Sequence, residues 1–142
     1  MIKLIPQQIS EQWDSIRAGL LITLPPITQP TPEALRAILT QLLCEHIQCW
    51  AILDSDKRIQ GHALTTISLD IHSQVKTLVI YSLYLTEQVT RETWENGFKV
   101  LNEFAQKEGC FRIAAYTRNQ LVMSISAKFG FSSEYTYLTK DV

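Results

Sequence analysis

The sequence predicts a single α/β (α+β) domain over residues 1–142, built on a mixed, mostly antiparallel, twisted sheet of six to seven strands with helices on both faces. Three observations carry this expectation. Segments of helical and of alternating apolar period follow one another in the order β-α-α-β-β-β-α-β-α-β. Three consecutive strands joined by short turns imply a meander, and the strand–helix–strand unit after them implies a parallel crossover. Finally, 142 residues with 46% apolar and 19% charged side chains suffice for one core that removes roughly 68–70% of the unfolded surface from water.

Taken in order, Ile2 to Ile5 is a short strand ending at Pro6, and Ile9, Trp13, Ile16 and Leu20 then recur at helical spacing. A proline cluster, Pro25, Pro26, Pro30 and Pro32, marks a rigid loop that offers a docking edge. Thr31 caps the next helix, with Pro32 at its first position and Leu35, Ile38, Leu39, Leu42, Leu43 and His46 along one stripe. Cys49 to Leu53 is a strand. The polar turn Asp54 to Lys57 leads into Ile59, Gly61, Ala63, Thr65, Ile67 and Leu69 on alternate positions, a hairpin partner. Val75 to Leu85 is apolar on both parities, the mark of a central strand covered on both faces. Trp94, Phe98, Leu101, Phe104 and Ala105 form a helical stripe that Gly109 terminates. Phe111 to Tyr116 is a strand, Leu121, Val122, Ile125 and Phe129 lie on a helix, and Phe131 to Thr139 alternates as a last strand.

Charge and composition exclude several classes. A net charge of -1, a pI near 6.3 and the lack of any Lys or Arg run leave no electrostatic footprint for nucleic acid or anionic lipid. No stretch approaches the ~20 apolar residues of a membrane span, and the N-terminus lacks the apolar centre of a signal peptide. A cytoplasmic location is expected, in the host or in a virion if the protein is phage-encoded. Cys44, Cys49 and Cys110 are an odd number without a C-x-x-C pair, which suits a reducing compartment and small buried hydrophobes. His46, His62 and His72 have no partner at ligand spacing, so no metal site is indicated. Nucleophile elbow, P-loop and dinucleotide fingerprints are absent.

The element order and the segment from Asn119 to Lys128, Phe129, Gly130 and Phe131 resemble the C-terminal half of the GCN5-related N-acetyltransferase family. Members typically show Asn, then Gly-Phe after a fixed interval, with a basic residue nearby and a glycine closing the preceding helix, as Gly109 does here. The resemblance implies this family's fold. It also implies an acetyl-CoA site whose phosphates sit on a loop of Gln or Arg, two residues, Gly, one residue, then Gly or Ala. The matching positions are Val89, Glu92 and Trp94, and none of them fits. An anion needs close backbone approach at a helix N-terminus, whereas Glu92 places a negative charge there. The tyrosine that members use as general acid falls at Ser126.

Three readings follow. The first is a family fold with a degenerate cofactor loop and no cofactor, working as a binding or structural module with a protein partner. This fits a further resemblance, through Trp50-Ala51-Ile52, to small acetyltransferase-like proteins of tailed phages, in the particle or at a host protein. The alternative is an acetyl-CoA-dependent N-acyltransferase acting on a small primary amine, in which alignment and a polarising N–H carry the rate. Its candidates are Leu83 and Leu85 for backbone contacts, Arg91 for phosphate and Asn119 beside the cofactor, with His62 or Glu87 as base and Tyr116, or Tyr84, as acid. The third places function on a surface patch. An opening between the fourth and fifth strands separates the acyltransferase from the others.

Overall fold

A computed structural model describes residues 1–25, 30–134, 138 and 140. Its elements are β1 (Ile2–Lys3), α1 (Pro6–Thr23), α2 (Pro32–Leu43), β2 (Ile47–Leu53), β3 (Ile59–Leu69), β4 (Lys76–Leu85), α3 (Arg91–Lys107), β5 (Arg112–Ala115) and α4 (Gln120–Ala127). The strands form one sheet in the order β1-β2-β3-β4-β5, antiparallel except for the parallel β4–β5 pair. The mixed α/β class and meander-plus-crossover order match the expectation, with five strands among the described residues instead of six to seven. In the last predicted strand, residues 131–134 are irregular, while 135–137 and 139 lie outside the described residues, as do 26–29 of the proline loop.

Local chemistry sets the helix ends. Pro6 begins α1 instead of closing β1, and the Gln8 side chain takes the Ile5 N–H at 3.0 Å. Thr31 Oγ1 accepts from Ala34 N–H at 3.2 Å, with Pro32 at the first helical position. Gly109 follows α3 at φ 71°, the left-handed conformation that glycine adopts without strain.

Two apolar layers flank the sheet. On one face α1 and α2 pack Ile9, Ile16, Leu20, Leu35 and Leu42 against Cys49, Ala51 and Leu64. On the other, α3 packs Leu101 and Ala105 against Trp50, Ile52, Ala63, Leu78 and Ile80. Trp50 is buried there edge-on to Phe104, with its Nε1–H given to Thr65 Oγ1 at 2.9 Å. Of the cysteines, Cys49 is buried, Cys110 is half-buried and Cys44 is exposed, so the expected burial fails for Cys44 at the end of α2. No helix is long and apolar enough to cross a membrane.

Candidate functional site

The site begins where two strands part. β5 pairs with β4 from Thr77↔Arg112 to Ile80↔Ala115, and Tyr116 N–H reaches Ile80 O at 3.4 Å. β4 continues to Leu85 with no β5 residue in register beside it. The open stretch starts at a bulge: Thr65 faces Ile80 and Leu64 faces Ser82, leaving Tyr81 unmatched.

That extra residue re-aims the strand. Before it, even-numbered residues turn their backbone to β5, since Lys76 O and Ile80 O both accept from that strand's flanks. After it, Thr86 N–H bonds Gln60 O at 2.8 Å, so Thr86, Tyr84 and Ser82 turn their backbone toward β3. The N–H and C=O groups of Leu83 and Leu85 therefore face the opening. The same parity change explains why Leu78, Ile80, Leu83 and Leu85 all join the α3-side core. The apolar residues on both parities of β4 reflect this bulge as well as two-sided burial.

A cavity of ≈ 600 Å³ occupies the opening. Leu83, Leu85 and Ile80 form its floor, with Thr93, Trp94, Gly97 and Phe98 of α3 on one side. Tyr116 to Asn119, Val122 and Ser126 lie on the other side. It reaches Ile22, Thr23, Leu24 and Pro25 at the end of α1, so it extends from the α3 side of the sheet toward the α1 side. Trp94 stacks on Phe98, with ring centroids 5.8 Å apart, and Phe98 also meets Phe129 and Phe131. Thr23 shares a hydrogen bond with Ser82, anchoring the end of α1 to β4 beside the gap.

Among the predicted residues, the opening brings together Leu83, Leu85, Tyr116 and Asn119. Asn119 is also the N-cap of α4, its Oδ1 accepting from Leu121 N–H at 2.9 Å and from Val122 N–H at 3.4 Å. Three others stand elsewhere. His62 is 3% exposed beneath α1, with Nε2 2.9 Å from Gln12 Oε1, because its strand parity turns it to the helical face opposite α3. Burial holds its pKa below the ordinary 6.5. Glu87 is exposed past the end of β4, accepting from Gln60 Nε2 at 3.0 Å, and is not in the cavity lining. Arg91 lies along α3 with Nε on Glu95 Oε1 at 2.7 Å and its side chain 90% exposed, away from the cavity. Tyr84, the other candidate acid, packs against α1, where only a glycine at position 19 leaves it room.

Sequence reasoning missed Arg118, which contributes the only charged side chain to the lining among the described residues. Its one signal was position, directly before the Asn119 cap at the end of β5. Among the described residues no group of His, Cys, Asp or Glu is placed to hold a metal.

No protein-family model matches the sequence, and no curated protein matches it significantly. Solved structures do resemble it. An aminoglycoside acetyltransferase in complex with a CoA-linked acetylneamine bisubstrate analogue superposes with a TM-score of 0.74 over 99% of this chain and 95% of that one, at 14% identity. A predicted acetyltransferase with acetyl-CoA from Clostridium acetobutylicum gives 0.68 over 97% and 94%, at 19% identity. A ribosomal-protein-alanine N-acetyltransferase from Brucella melitensis gives 0.70 over 99% and 98%, at 8% identity. The chain has an acetyltransferase fold. At these identities the likeness is one of fold, the one implied by the segment from Asn119 to Phe131.

Proposed function

We propose that the chain binds an acyl-CoA, acetyl-CoA foremost, in the β4–β5 opening and transfers its acyl group to a primary amine. The observation that carries this reading is the early end of β4–β5 pairing beside the β4 bulge, which leaves the Leu83 and Leu85 backbone facing the cavity. A pantetheine arm is an extended chain with two amides, and an unpaired strand edge offers it the N–H and C=O groups that another strand would use. The solved structures with this fold that hold acetyl-CoA or a CoA-linked analogue support the same ligand.

The thioester supplies an activated carbonyl and a thiolate leaving group. The Leu83 or Leu85 N–H polarises the carbonyl oxygen and receives its negative charge as the amine adds. The apolar walls, Trp94, Phe98 and Leu101, keep water from competing. As the C–N bond forms and the C–S bond breaks, Tyr116, 45% exposed just past the end of β5, protonates the sulfur. The amine's proton leaves toward solvent, where Glu87 is the nearest candidate carboxylate along the chain from β4.

A second reading rests on one further observation: among the described residues, no Asp, Glu or His lines the cavity. On that reading the site binds without transferring, and the protein acts through a protein partner, in a phage particle or at a host protein. Thermal unfolding with acetyl-CoA, followed by thiol release in the presence of a panel of primary amines, separates the two. Ligand at 100 times its dissociation constant stabilises by ~2.7 kcal/mol. A saturable shift with amine-dependent thiol release is expected; a shift without release selects a module that binds the cofactor without transferring, and no shift at millimolar acetyl-CoA overturns the acyl-CoA site and leaves the cofactor-free module.

A further inference from the structure

On that reading the cofactor's phosphates need a cation or a backbone cradle of their own. The β4–α3 loop is poorly equipped to supply either. Glu92 and Trp94 stand where a backbone cradle would need small residues, Val89 offers no polar side chain, and Glu92 brings a carboxylate into the first turn of α3. The Thr93 N–H there is already taken by Thr90 Oγ1 at 3.2 Å. Arg91, the cation of that loop, is committed to Glu95 on the outer surface.

The opposite wall differs. Arg118 sits between β5 and α4, lines the cavity, and has no ion-pair partner among the described residues. Among the described residues every other lining side chain is uncharged, so Arg118 brings the one side-chain charge to the cavity. A guanidinium keeps its charge at any accessible pH and offers a planar fork of donors that matches phosphate oxygens. With no carboxylate in the lining, nothing in the cavity competes for it.

We infer that Arg118 is the phosphate anchor of this site, taking over from the β4–α3 loop and drawing the phosphates of the ligand to the β5–α4 side of the opening. This inference rests on CoA binding as proposed above, and its test separates the two. Dissociation constants are measured by calorimetry for CoA, which carries the phosphates, and for pantetheine, which does not, on the unmodified chain and on Arg118→Ala, Arg118→Lys and Arg91→Ala.

The unmodified chain binds CoA more tightly than pantetheine, and that advantage shrinks as salt rises. Arg118→Ala loses about tenfold or more in CoA affinity and leaves pantetheine unchanged, the size expected for a charged hydrogen-bond pair. Arg118→Lys keeps part of the advantage, and Arg91→Ala keeps all of it. Equal affinity for CoA and pantetheine in the unmodified chain, an unchanged Arg118→Ala, or a loss confined to Arg91→Ala each overturns the inference while the acyl-CoA site stands. Failure of both ligands to bind removes both. Thermal unfolding of the ligand-free variants checks the fold, which an exposed side chain such as Arg118 leaves intact.

Discussion

A Cβ at position 61 would stand 2.0 Å from the carbonyl oxygen of Tyr84, across the β3–β4 ladder. That oxygen is backbone and cannot rotate aside, so the strands would have to part beside the open end of β4. At position 97, inside α3, a Cβ meets only the Met1 Cε at 3.2 Å, the far end of a flexible side chain. Gly61→Ala is therefore expected to cost ~3 kcal/mol, an overpacking penalty at the upper end of its range. Gly97→Ala should be neutral or gain up to ~1 kcal/mol from helix propensity. Urea midpoints decide it, and equal midpoints for the two variants would contradict the contact geometry. The same scale shows what a sequence hides: Gly61 reads as one more alternating strand position, and Arg118 as one more surface charge. Each has its meaning from an atom far away in the chain. Asn119 was legible only through its interval to Gly130 and Phe131, and its cap on α4 came from the structure.

Elements divide along the same line. The starts of α2 and α3 and the stop at Gly109 are local chemistry, and the cap types read from Thr31, Pro32 and Gly109 are those found. The β4 bulge and the point where β5 leaves β4 depend on the partner strand, and Leu78 to Leu85 carries apolar residues on both parities whether or not the register shifts. The bulge has a measurable consequence. Amides of Ser82 and Tyr84 point to β3, while those of Leu83 and Leu85 point into the opening. Without ligand, hydrogen exchange should therefore be slow at Ser82 and Tyr84 and faster at Leu83 and Leu85. Saturating CoA should slow the second pair selectively. Uniform protection along residues 82–85 without ligand would mean that the edge is covered, and with it the proposed site.

At the scale of the whole molecule, buried titratable groups on the α1–α2 side of the sheet bound the pH range of stability. His62 is disfavoured as a cation because burial strips its hydration, so its folded pKa lies below the ordinary 6.5. The unfolded chain takes up that proton first, and stability present above pH 6.5 falls as the pH drops toward the folded value. Asp54 and Asp70, each held low mainly by a backbone N–H bond, from Arg58 and Ser73 respectively, add a later loss once the pH falls below their ordinary 3.8. Asp70 is exposed and Asp54 half-buried at the surface turn, so theirs is the smaller step. On the alkaline side, burial pushes the Cys49 thiol up to about 12 from 9.0, outweighing the opposing hydrogen bond with the Trp50 backbone. The unfolded thiol ionises first, and stability declines as the pH rises from 9 toward 12. Urea midpoints should thus show an acid limb from His62 below about pH 6.5 and an alkaline limb from Cys49 above about pH 9. His62→Gln should flatten the first acid step and leave the alkaline limb, whereas Cys49→Ala should push the alkaline limb outward and leave the acid one. An acid limb unchanged by His62→Gln would mean that the ring titrates freely in the folded chain, against its burial beneath Gln12, and would return His62 to the list of accessible bases.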